Sequence, residues 1–193
     1  MKKIAIMGTA ANPIHMGHLA IAKAVSEIVD EVWISPCWNH MFNKDLASSN
    51  DRLTMCQLAV NELTLSKIKV CAYEVANQST CGTYEILNEL KSLYNDSEFY
   101  FIIGQDNADN IEKWRNYKKL ISEYKFIVVP RAGYSPKTNW YQSSEHIYLK
   151  DFTPLSISST FIREEVRSKG TINKKMVPSS VATYIEKLGL YAK

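Results

Sequence analysis

The sequence has no run of apolar residues that approaches the length of a membrane span, so we expect no membrane partner. Its four cysteines show neither a Cys-x-x-Cys pair nor zinc-ligand spacing; they are Cys37, Cys56, Cys71 and Cys81. The opening residues lack the apolar segment and cleavage site of a signal peptide. We therefore expect a cytoplasmic protein without a disulfide framework, in which reduced thiols serve as small apolar fillers.

A strong excess of charge of either sign is also missing. The 193 residues carry a formal net charge of only +3, from 23 Lys and Arg against 20 Asp and Glu. Extended nucleic-acid binding needs a denser basic surface, so we expect no nucleic-acid partner and favour a small anionic ligand; simple solubility is the alternative interpretation. With 46% hydrophobic residues the chain can bury one sizeable core, which predicts a single domain over residues 1–193.

Strand-like apolar runs alternate with amphipathic, helix-like stretches along the chain. The predicted strands are residues 3–7, 32–36, 68–75, 99–103, 126–129 and 147–149. The predicted helices are residues 18–29, a helix capped by Asn50 or Asp51 and running through Leu63, residues 83–93, residues 116–123, and two final helices after Thr160 and after Pro178. This alternation predicts an α/β, Rossmann-like doubly wound parallel sheet with helices on both faces.

The first predicted strand is followed by Gly-Thr-Ala-Ala-Asn-Pro-Ile-His-Met-Gly-His at residues 8–18. Ligands of open parallel sheets bind beyond the carboxyl ends of the strands, which is where this segment lies. Gly8 and Thr9 can bring backbone amides close to a phosphate, and the helix that follows adds its partial positive charge. His15 and His18 can face the same phosphate. The alternative is a helix cap and a surface histidine.

A second candidate phosphate site is Ile-Ser-Ser-Thr-Phe-Ile-Arg at residues 157–163. Capping a helix needs one hydroxyl, whereas Ser158, Ser159 and Thr160 offer three. Arg163 follows one turn later and adds a fork of donors that matches phosphate. This combination favours a phosphate-binding segment over a cap alone.

A third segment, Gly104-Gln105-Asp106, follows the most strand-like run of the chain. A carboxylate in this position can bind ribose hydroxyls, and Trp114, eight residues further on, can stack on a flat ring. From the residues alone, Asp106 as a helix cap and Trp114 as a core residue are equally well supported.

Together these segments resemble the bacterial nicotinate mononucleotide adenylyltransferases, and the resemblance covers most of the chain. The family's Gly-Gly-x-Phe-Asp/Asn-Pro-x-His-x-Gly-His segment corresponds to residues 8–18, and its Ile-Ser-Ser-Thr-x-Ile-Arg segment is complete at residues 157–163. Val-Val-Pro-Arg-Ala-Gly at residues 128–133 and the Gly-x-Asp with its tryptophan also match. The resemblance implies transfer of the AMP moiety of ATP to nicotinate mononucleotide, giving deamido-NAD and pyrophosphate.

The resemblance also implies residue roles. His15, His18 and Arg163 are expected to be catalytic, with the two imidazoles, Arg163, helix amides and Mg²⁺ supplying positive potential. Mg²⁺ is expected to arrive with ATP, without a dedicated set of protein ligands. The expected ATP-binding residues are Gly8, Thr9, Ala10, His15, His18, Gly104, Asp106, Ile157, Ser158, Ser159, Thr160 and Arg163. The expected mononucleotide-binding residues are Asn12, Lys44, Thr83 and Trp114, where Lys44 is equally well explained as an exposed surface lysine.

Departures from the family pattern all fall near the expected mononucleotide pocket. Thr9 replaces the second glycine, Ala11 replaces the phenylalanine, the segment 37–44 lacks the Pro-Pro-His-Lys run of many relatives, and Gly82 replaces a tyrosine. The acceptor therefore stays open between nicotinate mononucleotide, nicotinamide mononucleotide and both, with pantetheine phosphate less favoured.

Three other classes of protein fit the sequence less well. One is a nucleotide-binding sensor that has lost catalysis, and the two histidines with Arg163 argue against it. A Rossmann oxidoreductase is disfavoured because no Gly-x-Gly-x-x-Gly follows the first strand, and an RNA-binding synthetase fragment because no basic surface is evident. A homo-oligomer remains one option for the assembly.

Overall fold

The apolar runs form one parallel sheet in the computed structural model, which describes residues 1–39 and 46–192. The strands are β1 (Lys2–Thr9), β2 (Glu31–Pro36), β3 (Ile68–Val70), β4 (Ser97–Gly104), β5 (Lys125–Val129) and β6 (Ile147–Tyr148). They lie in the order β3-β2-β1-β4-β5-β6, and each neighbouring pair is parallel. This is the strand order of a doubly wound Rossmann sheet, so the predicted fold class is confirmed.

Helices follow the strands along the chain and lie on both faces of the sheet. They are α1 (Met16–Val25), α2 (Ser49–Leu63), α3 (Tyr73–Ala76), α4 (Thr83–Leu93), α5 (Gln105–Ala108), α6 (Tyr117–Glu123), α7 (Ser159–Lys169) and α8 (Ser179–Leu188). Short 3-10 turns occur at Ile111–Lys113 and Trp140–Gln142. None of the helices in the described ranges is long and apolar enough to cross a membrane.

The two faces of the sheet carry different cores. Successive side chains of a strand point to opposite faces, so Ala5 and Met7 of β1 join one core and Ile4 and Ile6 join the other. The first core lies beneath α1, α2, α7 and α8. The second lies beneath α4 and α6 and is rich in aromatic residues such as Phe101. Because each fully buried large apolar side chain contributes roughly 1.5–3 kcal/mol, the two cores stabilise the packing of the helices on the sheet.

The strand order reverses between β1 and β4, since the chain winds from β1 outward to β3 and then returns to pair β4 with β1. In open α/β sheets the crevice beyond the carboxyl ends of such a strand pair is the ligand site. Thr9 ends β1 and Gly104 ends β4. The topology therefore brings two of the three candidate segments to the same crevice.

The predicted strand over residues 68–75 is wrong in its second half. The strand β3 ends at Val70, whose register partner is Ile34, and β2 itself ends two residues later at Pro36. The chain makes one further bond, from the Cys71 amide to the Ile34 carbonyl, and then turns into α3, so that Ser35 and Pro36 of β2 have no partner in β3.

Helix starts and cysteine environments also differ from the predictions. The first helix begins at Met16 rather than residue 18 and is capped by His15. The second is capped by Ser48, not by Asn50 or Asp51, since the Asp51 amide donates to the Ser48 hydroxyl. Cys56 and Cys71 are buried fillers as predicted, whereas Cys37 is half-buried and Cys81 is exposed, because both lie at the rim of a cavity.

The start of α8 is held by a carboxylate from α2. The Glu62 carboxylate accepts hydrogen bonds from the amides and hydroxyls of both Ser179 and Ser180. Pro178, at the cap position of α8, offers no side-chain acceptor, so Glu62 satisfies helix-end amides that would otherwise lack partners. These bonds, the Ser180 hydroxyl first, lower the pKa of Glu62 to about 2 from the model-compound value of 4.5.

We predict that Glu62→Gln lowers the free energy of unfolding at pH 7 by about 1 kcal/mol, the size of a lost helix cap at an exposed site. Since the folded-state pKa is depressed, this stabilisation is complete above about pH 4.5 and disappears as the pH falls towards 2. Urea unfolding at pH 7 and pH 3 measures the difference, with the exposed Glu112→Gln as control. Equal stabilities of wild type and Glu62→Gln at pH 7 would contradict the role of Glu62.

Candidate functional site

Two cavities open at the carboxyl end of the sheet, one on each face. The first, of about 580 Å³, lies towards α4 and is lined by Thr83 and Trp114; we call it the tryptophan cavity. The second, of about 750 Å³, lies between α1 and α7 and is lined by His15 and His18; we call it the histidine cavity. They meet at the end of β1, where Gly8 and Thr9 line both.

Gly8 forms the boundary between the cavities. A Cβ added at Gly8 would lie 3.2 Å from Cζ of Phe101, closer than side chains normally pack. Glycine therefore lets the end of β1 lie directly against the Phe101 ring of β4. It also leaves bare backbone where the two cavities meet, so that ligand groups on the two sides can approach each other closely.

The two predicted histidines lie side by side at the start of α1, with ring centroids 3.8 Å apart. His15 Nδ1 accepts a hydrogen bond from the Gly17 amide, and His18 Nδ1 accepts one from the His15 amide. The glycine between them is required by this packing, since a Cβ at Gly17 would lie 2.9 Å from the His15 ring. His15 thus is the helix cap, as one interpretation of the sequence holds, and it also lines the cavity.

These hydrogen bonds determine the protonation of both rings. Because each Nδ1 accepts, each neutral ring carries its proton on Nε2. The Nε2 of His18 lies 3.2 Å from the Thr9 hydroxyl, which in turn accepts from the Ala11 amide at 3.1 Å. Burial, and then the charge of His18, lowers the pKa of His15 to about 2, and burial lowers the pKa of His18 to about 4. In the free protein both rings are therefore neutral, and the positive potential expected of them comes from their Nε2–H groups rather than from a formal charge.

The third wall of the histidine cavity is the start of α7. Ile157, Ser158 and Ser159 line the cavity together with Phe161. The Ser158 hydroxyl accepts from the Phe161 amide and caps the helix, while the remaining first-turn amides of α7 have no partner within the helix. Such a helix start favours an anion.

Arg163 points away from the cavity. Its Nη1 donates to the Asn12 carbonyl at 2.9 Å, and its Nη2 lies 3.4 Å from the exposed Thr160 hydroxyl. Asn12 is buried, and its side-chain oxygen accepts from the Ala47 amide and the Tyr191 hydroxyl. Arg163, Asn12 and Thr160 are therefore not among the described residues that line the two cavities; Arg163 and Asn12 instead hold the turn between β1 and α1, with Thr160 beside them.

A second buried arginine, which sequence reasoning missed, also holds the turn between β1 and α1. Arg52 of α2 is only 1% exposed and donates to the carbonyls of Ala10, Trp38 and Ala47. The signal was available, since Arg52 precedes Met55 by three residues and therefore lies on the buried stripe of its helix. It holds the carbonyl of Ala10, which lines the tryptophan cavity.

Gly104 lines the histidine cavity at the end of β4, and Asp106 follows in α5. One carboxylate oxygen of Asp106 lies 3.3 Å from Nη1 of Arg131, and its other oxygen is buried without a hydrogen-bond partner among the described residues. Arg131 itself lines the histidine cavity and was not predicted as a site residue, although it belongs to the matching segment 128–133. The pair places an exposed guanidinium beside the predicted ribose-binding carboxylate.

The tryptophan cavity brings Thr83 and Trp114 together as predicted neighbours. Trp114 is half-buried and packs edge-on against Phe101 at 5.9 Å, so it both lines the cavity and extends the aromatic core. Asn39 and Glu74 line the same cavity and were not predicted. Lys44 lies outside the described residues, within the segment 40–45.

Histidine, cysteine and carboxylate side chains do not gather in groups of three or more that could hold a metal ion within residues 1–39 and 46–192.

The neutral state of the two histidines gives a direct test. In the free protein, the imidazole ¹⁵N signals of His15 and His18 should show neutral rings protonated on Nε2, with no titration between pH 5.5 and 8. In urea-unfolded protein the same residues should titrate near 6.5. A midpoint between pH 6 and 7 in the folded protein would contradict the neutral-donor description.

Comparison with known proteins agrees with this geometry. Residues 6–165 match the model of the cytidylyltransferase-like family. The chain is 34% identical to a Bacillus cytotoxicus protein named "Probable nicotinate-nucleotide adenylyltransferase", over 99% of each chain. A protein of the same name from Oceanobacillus iheyensis is 33% identical over 99% of this chain and 97% of the relative.

Solved structures give the same result. Plasmodium falciparum nicotinic acid mononucleotide adenylyltransferase complexed with NaAD superposes with a TM-score of 0.83 at 24% identity, covering 99% of this chain and 98% of that one, which shows the fold. The same enzyme complexed with APC gives a TM-score of 0.80 at 26% identity with the same coverage. The chain belongs to the cytidylyltransferase-like family, among the nicotinate-nucleotide adenylyltransferases.

Proposed function

We propose that this protein transfers the adenylyl group of ATP to nicotinate mononucleotide, giving deamido-NAD and pyrophosphate in NAD biosynthesis. One observation carries the proposal: two cavities of different chemistry meet at Gly8 and Thr9. One is walled by imidazole and helix-start donors suited to a triphosphate, and the other by a tryptophan suited to a flat ring. A reaction that joins two nucleotides requires such a pair of neighbouring sites.

ATP is assigned to the histidine cavity. Its phosphates would lie between the Nε2–H groups of His15 and His18 and the first-turn amides of α7, with Ser158 and Ser159 at the helix start. These groups are fixed before the ligand arrives, because each ring is held through Nδ1. Apolar side chains such as Ile21 and Met176 complete the wall and suit the adenosine end.

Nicotinate mononucleotide is assigned to the tryptophan cavity. Trp114 offers a half-exposed ring for stacking on the pyridine, and Thr83 begins α4 on the same wall. Its phosphate would lie at the end of β1, next to the α-phosphate of ATP across Gly8. The anionic acceptor needs no further activation by a covalent intermediate.

The reaction follows from this placement. A phosphate oxygen of the mononucleotide forms a bond to the α-phosphorus of ATP, the bond from that phosphorus to the bridging oxygen of the β-phosphate breaks, and pyrophosphate leaves. The protein contributes in-line positioning and preorganised donors to the non-bridging oxygens, which gain negative charge in the transition state. Mg²⁺ is assigned as part of the ATP substrate, where it neutralises phosphate oxygens.

Arg163 and Arg52 are assigned supporting roles. Each donates to a carbonyl of the β1–α1 turn, Asn12 and Ala10 respectively, and neither is among the described residues that line the two cavities. They position the turn that the phosphates would contact. Residues 1–193 are assigned to one nucleotidyltransferase domain, because all six described strands join one sheet. A cytoplasmic location is favoured by four cysteines that are all free thiols.

His18→Ala should lower kcat for pyrophosphate release by at least ~10²-fold, the scale of losing one preorganised transition-state donor. Circular dichroism should stay close to wild type, and the free energy of unfolding should fall by only about 1 kcal/mol, the size of one lost helix-cap interaction at the His15 amide. His18→Gln is the matched control, because its amide can return a donor near the Nε2 position and should recover part of the activity. Near-normal turnover of His18→Ala would rule out the assigned role.

The acceptor is tested by measuring pyrophosphate release from ATP with each mononucleotide at equal concentration. We expect faster release with nicotinate mononucleotide than with nicotinamide mononucleotide. Equal rates would change the assignment to a dual-specificity enzyme. Binding of ATP without release in either mixture would instead support a sensor that has lost catalysis.

A further inference from the structure

Glu74 is an acidic residue in the wall of a cavity assigned to an anion. It lies in the first turn of α3, the short helix that replaces the second half of the predicted strand. Its side chain lines the tryptophan cavity together with Cys37, Asn39 and Thr83. An ionised carboxylate in this position would repel a ligand that carries a phosphate, so the protonation state of Glu74 decides whether such a ligand can bind beside it.

One oxygen of the Glu74 carboxyl is held close to the end of β1. The Ser35 hydroxyl donates to Oε1 at 3.2 Å, and Ser35 is fully buried in β2. Ser35 is also the register partner of Gly8, the residue at which the two cavities meet. The second oxygen, Oε2, has no hydrogen-bond partner within residues 1–39 and 46–192 and is therefore available to a ligand in the cavity.

The groups around Glu74 come from three neighbouring elements. From α2, the buried Arg52 attracts the carboxylate, but it directs four N–H bonds to Ala10, Trp38, Ala47 and Cys37 instead.

The remaining neighbours of Glu74 are two thiols, a phenol, and two carboxylates that interact with other side chains. Cys37 follows β2, and Cys71 and Tyr73 flank the start of α3. On α4, Glu85 forms an ion pair with Arg115 and accepts a hydrogen bond from Asn116. Glu89, also on α4, interacts with the Tyr73 hydroxyl through a hydrogen bond and its charge.

These surroundings keep part of the Glu74 population protonated at neutral pH. Burial raises the pKa of Glu74 to about 7, and the Ser35 hydrogen bond and the charge of Arg52 only partly oppose that effect. A neutral carboxylic acid is a hydrogen-bond donor, whereas a carboxylate can only accept. The same side chain can therefore either bind an anionic oxygen or repel it.

We propose that Glu74 binds the acceptor as a neutral acid, donating its proton from Oε2 to an anionic oxygen of the mononucleotide. That oxygen belongs to the acceptor phosphate or to the pyridine carboxylate, which share this chemistry. The inference rests on the proposed function, because it takes the tryptophan cavity as the acceptor site. It makes Glu74 a binding residue whose contribution to acceptor affinity is lost as the pH rises.

The test is the KM for nicotinate mononucleotide between pH 5.5 and 9, in wild type and in Glu74→Gln. The neutral amide of Gln keeps a donor at every pH and cannot ionise. The ratio of wild-type KM to variant KM should be constant below pH 6 and rise by up to about tenfold per pH unit above pH 7, as the neutral fraction of Glu74 falls. The acceptor phosphate also titrates near pH 6, but it does so equally with both proteins and cancels in the ratio.

Two measurements separate binding from a structural role. The KM for ATP and the kcat should show no matching change, because Glu74 does not line the histidine cavity as the structure describes it. Ser35→Ala removes the hydrogen bond that stabilises the ionised carboxylate, so the rise in KM should begin at higher pH. If Glu74→Gln fails to fold, the shift of this onset in Ser35→Ala still tests whether neutral Glu74 binds the acceptor.

Repeating the series with nicotinamide mononucleotide identifies the oxygen. If the KM ratio rises with pH for both acceptors, the bond is assigned to the phosphate. If it rises for nicotinate mononucleotide alone, the bond is assigned to the pyridine carboxylate.

The proposal is overturned if wild type is active and its KM profile runs parallel to that of Glu74→Gln. It is equally overturned if Glu74→Gln lowers kcat while leaving the acceptor KM unchanged, or if Ser35→Ala leaves the onset of the rise unmoved. Absence of pyrophosphate release from wild type at every pH would instead reject the proposed function, so the two failures are distinguishable.

Discussion

The site depends on the attachment of α7 to the turn that follows β1. The Ser159 hydroxyl donates to the Pro13 carbonyl at 2.9 Å, and Arg163 Nη1 donates to the Asn12 carbonyl at 2.9 Å. These bonds join residues 146 and 151 positions apart in sequence. They place the free amides of one helix start opposite the histidines of another, which is the geometry that a polyphosphate needs.

In the proposed site, most of the groups that would bind the anionic phosphates are neutral hydrogen-bond donors. His15 and His18 are held neutral, and their Nδ1 atoms are occupied by backbone amides, so each ring presents an Nε2–H donor, which in His18 lies beside the Thr9 hydroxyl. Arg52 and Arg163, which are positively charged, donate to carbonyls of the turn, whereas Arg131 lines the histidine cavity. Neutral donors in fixed positions cost no reorganisation when charge develops on the phosphorus oxygens. Glu74, as proposed, extends the same strategy to the acceptor.

Much of the fold follows from simple sequence rules. Apolar runs such as residues 99–103 become buried strands, and the rule that ligands lie beyond strand ends brings residues 8–18 and 104–106 to one crevice. The length of β3 could not be predicted, because the apolar pattern continues to Val75 although the chain leaves the sheet after Cys71 and turns into α3. The direction of Arg163 is hidden for a related reason: an arginine after three hydroxyls suits a phosphate, but its partner here is a backbone carbonyl 151 positions away. The role proposed for Glu74 could not be predicted from the sequence, because its surroundings combine residues of β2, α2 and α3 that are far apart in the chain.

The central claim is that an acceptor phosphate in one cavity attacks the α-phosphorus of a nucleotide in the other. Nicotinate mononucleotide labelled with ¹⁸O in its phosphate, incubated with ATP and the protein, tests this most directly by mass spectrometry of the products. We expect all of the label in the dinucleotide, including its bridging oxygen, and none in pyrophosphate. Label in the released pyrophosphate or phosphate, or no dinucleotide at all, would contradict the account.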